Sequence, residues 1–391
     1  MKYNGAEIII KLLEKFGIKI IPGIPGGSNL PLYDALYKSD IRHILARHEQ
    51  GAGFIAQGMA RSTGKPAVCF ATSGPGVTNL VTAMADAKSD SVPIIAITGQ
   101  VPVPFIGTDA FQEVDTYGMT LPLTKHNFLV KKAEDLLTVI PESFRIASEG
   151  RCGPVVIDVP KDVQLERLEV KEWPSAAMRY HRAPRIDMED ILRIAEAINR
   201  SERPVLYAGG GVISSGASGP LFELAEKNSI PVASTIMGLG AVPFTHPLFI
   251  GMQGMHGSRK ANLMFRGADL IIALGTRFGD RATGKVEEFC PMARIIHIDI
   301  DRAEINKNRE AHIGMEADVK SALLTLLPLI KRNRRKKWSA SAAESRGEQR
   351  SPSAERDIFK PASLMRFISE RAGENAIITT DVGQHQMWAA Q

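Results

Sequence analysis

The sequence predicts an α/β chain of successive parallel-sheet domains, the third incomplete. Three observations carry this. Short apolar runs such as Ala67–Ala71, Ile94–Thr98, Val155–Val159 and Pro204–Ala208 are continuous rather than alternating, as strands buried on both faces are. Helically spaced segments lie between them, and Gly/Pro punctuation borders them. The length of 391 residues allows roughly two to three domains at about 150 residues each.

In chain order, Asn4 is placed to cap a helix carrying Ile8, Ile9, Leu12, Leu13 and Phe16, closed by Gly17. A strand, Ile18–Ile21, runs into the turn Pro22–Gly27, and the extended run Ile41–Ala46 gives way to a helix with small residues on one face. With the three later apolar runs these elements make a first domain, 1–165. Polar residues with Pro174 and Pro184 mark 166–185 as a linker. The second domain, 186–330, has a helix Met188–Asn199, a strand Pro204–Ala208, the turn Gly209–Gly211, a helix over Pro220–Asn228, and strands at 231–235, 269–275 and 294–300. Residues 331–360 read as a basic, polar, exposed tether. A helix, Pro361–Arg371, and a strand, Ala376–Thr380, open a third domain in 361–391 that has no room to close. The sheets are expected to be flavodoxin/Rossmann-like.

A hydrophobic content of 44% with 23% charged residues excludes collagen, coiled coil and wholesale disorder. The net charge of +5 is local, since residues 331–356 carry nine basic and three acidic residues. No aromatic platform accompanies Lys331–Lys337, so a solvated tether is expected there and no nucleic-acid partner. Cys69, Cys152 and Cys290 are odd in number and far apart, which argues against a disulfide framework or a cysteine zinc site and for the reducing cytoplasm. No apolar run approaches the ~18 residues of a membrane span, and residues 1–27 lack a secretory pattern.

Glu49 stands at a strand-to-helix junction, where it reads either as a catalytic carboxylate near the positive helix end or as a plain helix cap. A zinc protease would need His at Ala52. Gly279–Val286 is one residue from a phosphate-binding loop, and Val286 stands where the magnesium-holding hydroxyl is required. Gly209–Gly216, with Asp299 and Asp301 at another strand end, reads as a pyrophosphate cradle or as a tight turn. Phe111-Gln112-Glu113 and Lys161 follow strands on the carboxyl edge, where open sheets bind ligands. Lys161 beside Asp158 and Asp162 reads equally as a surface ion pair.

Taken together and in order, Pro25–Gly27, Arg47–Gly51, Ser73–Gly76 with Asn79, Gly99-Gln100, Gly107–Gln112, Gly153-Pro154, Asp158–Lys161 and Asp381–Met387 resemble the acetolactate synthase catalytic subunits, which are thiamin-diphosphate enzymes. The resemblance implies decarboxylating carboligation of pyruvate with pyruvate or 2-oxobutyrate, at the entry to branched-chain amino acids. It implies that Glu49 hydrogen-bonds the cofactor's aminopyrimidine ring and favours its imino tautomer, and that Gly27, Phe111, Gln112 and Lys161 line the substrate side. A central FAD-binding domain is implied, with a structural flavin. Its contacting positions match Arg151, Gly209, Gly210, Gly211, Thr235, Met255, His256, Gly275, Arg277, Asp299, Ile300, Asp318 and Val319. Thr276 stands where the family usually has Ala, and Gly279 where it has Asp.

Val382, Gly383, Gln384 and His385 match diphosphate-side residues of the cofactor site. Family members continue further, supplying the Asp and Asn that hold magnesium, so this sequence is expected to carry no metal ligands and to be inactive alone. The implied assembly is a homodimer or homotetramer with a small regulatory subunit. The alternatives are another thiamin-diphosphate carboligase or decarboxylase, or a truncated, noncatalytic FAD-binding protein.

Overall fold

The computed structural model describes residues 1–175, 185–344, 360–373 and 375–390. The chain divides into two compact units, 1–181 and 182–391. The strands of the first are β1 (Lys2–Asn4), β2 (Ile20–Gly23), β3 (Arg42–Leu45), β4 (Ala67–Ala71), β5 (Ile94–Gln100), β6 (His126–Leu129), β7 (Val155–Pro160) and β8 (Arg167–Glu169). Six of them form one parallel sheet in the order β3-β2-β4-β5-β7-β6. Every residue of β4, β5 and β7 is buried, which is why these strands read as unbroken apolar runs.

Helices cover both faces of this sheet. On one, the helix Gly5–Lys15 packs Ile8, Ile9, Leu12 and Leu13 with Val68, Phe70, Ile95 and Ile157. Its cap is reciprocal: Asn4 Oδ1 accepts from the Glu7 amide at 2.8 Å and Glu7 Oε2 accepts from the Asn4 amide at 2.9 Å. On the other, the helices Glu49–Thr63 and Pro75–Ser89 bury Ala56, Ala60, Leu80 and Met84 against Cys69, Ala96 and Val156.

The linker expected at 166–185 is corrected at its start. β8 pairs antiparallel with β1, Val170 is buried, and Trp173 meets the Tyr3 ring edge-on at 5.5 Å. Residues 176–184 of that linker lie outside the described residues.

The second unit contains β9 (Pro204–Ala208), β10 (Val232–Ser234), β11 (Phe249–Met252), β12 (Leu270–Leu274), β13 (Arg294–Asp299) and β14 (Ile313–Glu316). They form a parallel sheet in the order β11-β10-β9-β12-β13-β14. Alternate residues feed two cores. Leu206, Ile272, Leu274, Ile296 and Ile298 pack with the helices Met188–Arg200, Ser218–Asn228 and Val319–Leu326. Val205, Tyr207, Ile271, Ala273 and Ile295 pack with Met264 and Phe265 of the helix Arg259–Gly267 and with Phe278 and Phe289.

The exposed tether expected at 331–360 also begins too early. Arg335 is buried, and its guanidinium donates to the carbonyls of Ile198 at 2.7 Å, Ser201 at 3.0 and 3.1 Å, and Asn228. Trp338, in the helix Lys336–Glu344, donates Nε1–H to the Pro204 carbonyl at 2.9 Å and packs on the second core. The reason is chemical: a guanidinium supplies several donors to carbonyls at the amino edge of a sheet, and an indole adds apolar area. Residues 345–359 lie outside the described residues.

The strand expected at Ala376–Thr380 is not formed. No described strand pairs with it, and Ile377 is 93% exposed. Apolar, β-branched composition makes a strand only when a neighbour takes its backbone hydrogen bonds. Helices Pro361–Ala372 and Gln384–Ala390 flank it. No helix among the described residues is long and apolar enough to cross a membrane.

If 331–338 is part of the second unit, Trp338→Ala should lower its unfolding free energy by about 2 kcal/mol. Urea denaturation checks this. A free tether would give no measurable change.

Candidate active site

Parallel strands bring all their carboxyl ends to one edge, and the loops of the first unit converge there. Close packing of two helices places Glu49. An ideal Cβ on Gly53 would lie 2.6 Å from the Ala83 Cβ, so only glycine lets the helices Glu49–Thr63 and Pro75–Ser89 approach this closely. Gln57 Nε2 donates to the Ala83 carbonyl at 2.8 Å and fixes their register. Asn79 is thereby brought to Glu49, donating Nδ2–H to Oε2 at 2.9 Å. Glu49 is 9% exposed, in the first turn of its helix, and no described residue donates to its Oε1. The capping role belongs to His48, whose Nδ1 accepts from the Gln50 amide at 3.1 Å. A carboxylate held by one oxygen, beside the positive end of a helix, leaves the other open to a donor.

Neighbouring loops build the rest of the edge. Asn29 Oδ1 accepts from the Gly26 amide at 2.7 Å, and the Ser28 and Ser73 hydroxyls meet at 2.8 Å. A Cβ on Gly27 would meet open space. Gly74, at φ +57°, has its Cβ position 2.6 Å from the Gln112 carbonyl oxygen, so the 107–113 loop lies directly on this turn. Phe111 there is 87% exposed. Lys161 begins a short helix after β7 and forms no ion pair with a described acid. The alternative reading of Asp158 and Asp162 as its surface partners fails: Asp158 is buried on Thr98 and Gln100, and Asp162 accepts from the Val103 amide at 3.1 Å.

The carboxyl edge of the second sheet is built on glycine. A Cβ on Gly209 would lie 2.0 Å from the Gly275 carbonyl oxygen, and one on Gly211 2.7 Å from the Gly275 Cα. The turns after β9 and β12 therefore touch backbone to backbone. Thr235 Oγ1 accepts from the Gly238 amide at 3.1 Å, Met255 is exposed, and His256 is half-buried. Asp299 is buried at the end of β13, with Oδ1 accepting from the Asp301 amide at 2.9 Å, and Ile300 follows it. Arg277 is exposed, and Asp318 caps the helix at Val319 by accepting from the Ser321 amide at 2.9 Å. The hydroxyls of Ser234 and Thr276 are buried with no partner at this same edge. In Gly279–Val286 a helical turn, Asp280–Thr283, occupies the middle of the stretch and a 3-10 turn, Val286–Glu288, follows in place of a long helix.

Residues 3–119 match the family model of the thiamine pyrophosphate enzyme N-terminal TPP binding domain, and residues 191–326 that of the central domain. Over its whole length the chain is 55% identical to the acetolactate synthase isozyme 1 large subunit of Escherichia coli K12, covering 69% of that protein. It is 44% identical to the isozyme 2 large subunit of the same organism, with 99% and 70% coverage, and 47% identical to a probable acetolactate synthase large subunit of Methanocaldococcus jannaschii, with 99% and 68%. The chain belongs to the acetolactate synthase large-subunit family.

Within this chain, Glu49, Gly27, Phe111, Gln112 and Lys161 all fall on the carboxyl edge of the first sheet or its loops. Gly209–Gly211, Thr235, Met255, His256, Gly275, Arg277, Asp299, Ile300, Asp318 and Val319 follow strand ends of the second. Two groups stand apart. Arg151 precedes β7 at the opposite edge of the first sheet, where its Nε donates to Ser91 Oγ at 2.8 Å. Val382, Gly383, Gln384 and His385 lie on an exposed turn and helix start whose hydrogen bonds stay within the segment.

Sequence reasoning missed Tyr33 and the interior of the edge. The Tyr33 hydroxyl is buried without a partner, and burial, with Cys69 and Glu49 adding, pushes its pKa up. Asp158 accepts from Thr98 Oγ1 at 2.7 Å and Gln100 Nε2 at 2.9 Å. Burial pushes its carboxyl from 3.8 up to about 7, against the lowering effect of bonds from Thr98, Gln100 and Thr116.

A carboxyl whose pKa is raised by folding binds more protons folded than unfolded, so stability falls as pH rises between the two values. Unfolding free energy should decline from pH 4 toward pH 7 by at most about 1.4 kcal/mol per pH unit from this group. Asp158→Asn should flatten that component, as urea midpoints across the window would record. An unchanged slope would place Asp158 outside the titration.

Proposed function

We propose that this protein is the catalytic chain of an acetolactate synthase, joining pyruvate, with loss of carbon dioxide, to pyruvate or 2-oxobutyrate. The observation that carries the reading is Glu49, a carboxylate held by Asn79 on one oxygen with the other available at a helix start. This open acceptor fits the aminopyrimidine of thiamin diphosphate. When bound, that cofactor supplies the carbanion stabilisation the reaction needs. Glu49 accepts from a ring N–H and so holds a proton at that nitrogen. Lys161 attracts the carboxylate of a 2-oxo acid, Gln112 offers hydrogen bonds, Phe111 packs against the apolar substituent, and Gly27 leaves space. Val382, Gly383, Gln384 and His385 are assigned to the diphosphate side on family resemblance.

FAD is the second cofactor of this reading. The Gly209, Gly211 and Gly275 contact, with the orphaned Ser234 and Thr276 hydroxyls, fits a dinucleotide at that edge, and Asp299 is placed for its hydroxyl groups. Arg151 is assigned to the flavin on resemblance alone. Magnesium belongs to this reading as well, and none of the described residues is assigned to it. The three cysteines are free, which fits a cytoplasmic setting. The relatives' designation as large subunits supports a small-subunit partner in this reading, and a homodimer or homotetramer is assigned on family resemblance alone.

With thiamin diphosphate, magnesium and FAD, the protein expressed from its whole reading frame should turn pyruvate into acetolactate. Glu49→Gln should lower the rate by about 10²–10⁴-fold at an unchanged melting temperature. Product analysis separates this from a decarboxylase, which would release acetaldehyde. Full activity of the variant would refute the role of Glu49. FAD should remain with the wild type through gel filtration, and Gly209→Val should lose it.

A further inference from the structure

Glu113 was singled out by its place in the Phe111-Gln112-Glu113 run, yet the proposed function gives it no task. Its carboxylate is turned inward on its own loop. Oε2 accepts from the amides of Thr108 and Ala110, each at 3.2 Å, and Oε1 accepts from the Gly107 amide. These bonds hold the Glu113 pKa below the usual carboxylate range, the Gly107 bond foremost. The loop requires holding, because Asp109 and Gln112 sit in the left-handed region at φ 56° and 57°, which non-glycine residues rarely adopt.

Both ends of the loop are tied to the sheet by other carboxylates. Asp162 accepts from the Val103 amide through both oxygens at 3.1 Å. Asp158, anchored by Thr98, holds Gln100 Nε2 at 2.9 Å, and Gln100 passes the restraint on to the Val114 carbonyl at 3.1 Å and Thr116 Oγ1 at 3.3 Å. From the buried sheet, bonds thus run outward through Gln100 to the 114–116 segment, and Glu113 closes the loop beyond it. Asp158 and Asp162 are spent on this scaffold, and Glu113 is spent on amides. All three act on position.

We propose that Glu113, backed by the Asp158–Gln100 pair, is a positioning residue that presents Phe111 and Gln112 to the 2-oxo acid substrate and so sets how tightly it is bound. This rests on the reading of Phe111 and Gln112 as substrate-side residues. Preorganisation of a loop changes substrate affinity when its ordering would otherwise be charged to binding.

The test uses the protein from its whole reading frame, loaded with thiamin diphosphate, magnesium and FAD. Glu113→Ala should speed hydrogen exchange at amides 107, 108 and 110 by about tenfold or more, while the helix Glu49–Thr63 keeps its protection. The KM for pyruvate should rise roughly tenfold while kcat moves less than about threefold. Glu113→Gln, which keeps a carbonyl acceptor, should recover part of both effects. Asp158→Asn should loosen 114–116 in the same way. If Asp158→Asn does not fold, the surface variants decide alone. Unchanged exchange in Glu113→Ala overturns the clamp, and faster exchange with unchanged KM overturns its role in substrate binding. A wild type that makes no acetolactate sinks the functional reading instead. In that case the clamp stands or falls on exchange.

Discussion

The whole chain depends on one property of parallel sheets: strands running the same way must deliver their carboxyl ends to the same edge. Six strands in each unit do so, and residues from positions as distant as Gly27 and Lys161, or Gly209 and Asp318, are gathered without any local signal joining them. Burial on both faces makes that edge stiff. The cores beneath it are closed by Ile, Leu, Val and Phe from the strands and by helices on both sides. A loop at the edge therefore starts and ends at fixed points, and its freedom is what its own hydrogen bonds leave it.

Polar chemistry on the first sheet follows from that stiffness. Asp158, Gln100, Thr98 and Thr116 occupy sites the apolar interior would otherwise fill, and each finds a partner among the others. Glu49 differs in degree rather than kind, having one oxygen engaged by Asn79 and one left for something outside the chain. On the second sheet the same contrast is drawn by Ser234 and Thr276, whose buried hydroxyls have no partner. A hydroxyl at either point adds a donor and an acceptor to the edge, which a methyl does not.

What could be read in the sequence was whatever local pattern decides. β4 and β9 begin and end where their apolar runs do, because strands covered on both faces show no alternation to blur them. The outer strands β6, β11 and β14 escaped notice, since His126–Leu129, Phe249–Met252 and Ile313–Glu316 mix polar residues or glycine into four positions. Ala376–Thr380 is the reverse case, with strand composition and no described neighbour. Arg335 and Trp338 were hidden in a basic run because nothing local says which of several cations will meet buried carbonyls. At the site, residue types and positions were visible. Bonding was not: the Asn79 contact joins residues thirty apart, and the Asp158 network joins three separate segments.

The contact between Gly209, Gly211 and Gly275 has a meaning beyond ligand space. Each backbone occupies the volume where the other's side chain would begin, so enlarging one residue cannot be repaired by shrinking the other, which is already as small as a residue can be. Pairs of core residues usually drift through compensating exchanges of volume, yet here there is no volume to trade. Two turns sixty-odd positions apart therefore hold each other to the smallest residue. Change can reach this edge only through the residues around the crossing, among them Thr276, and not through the crossing itself.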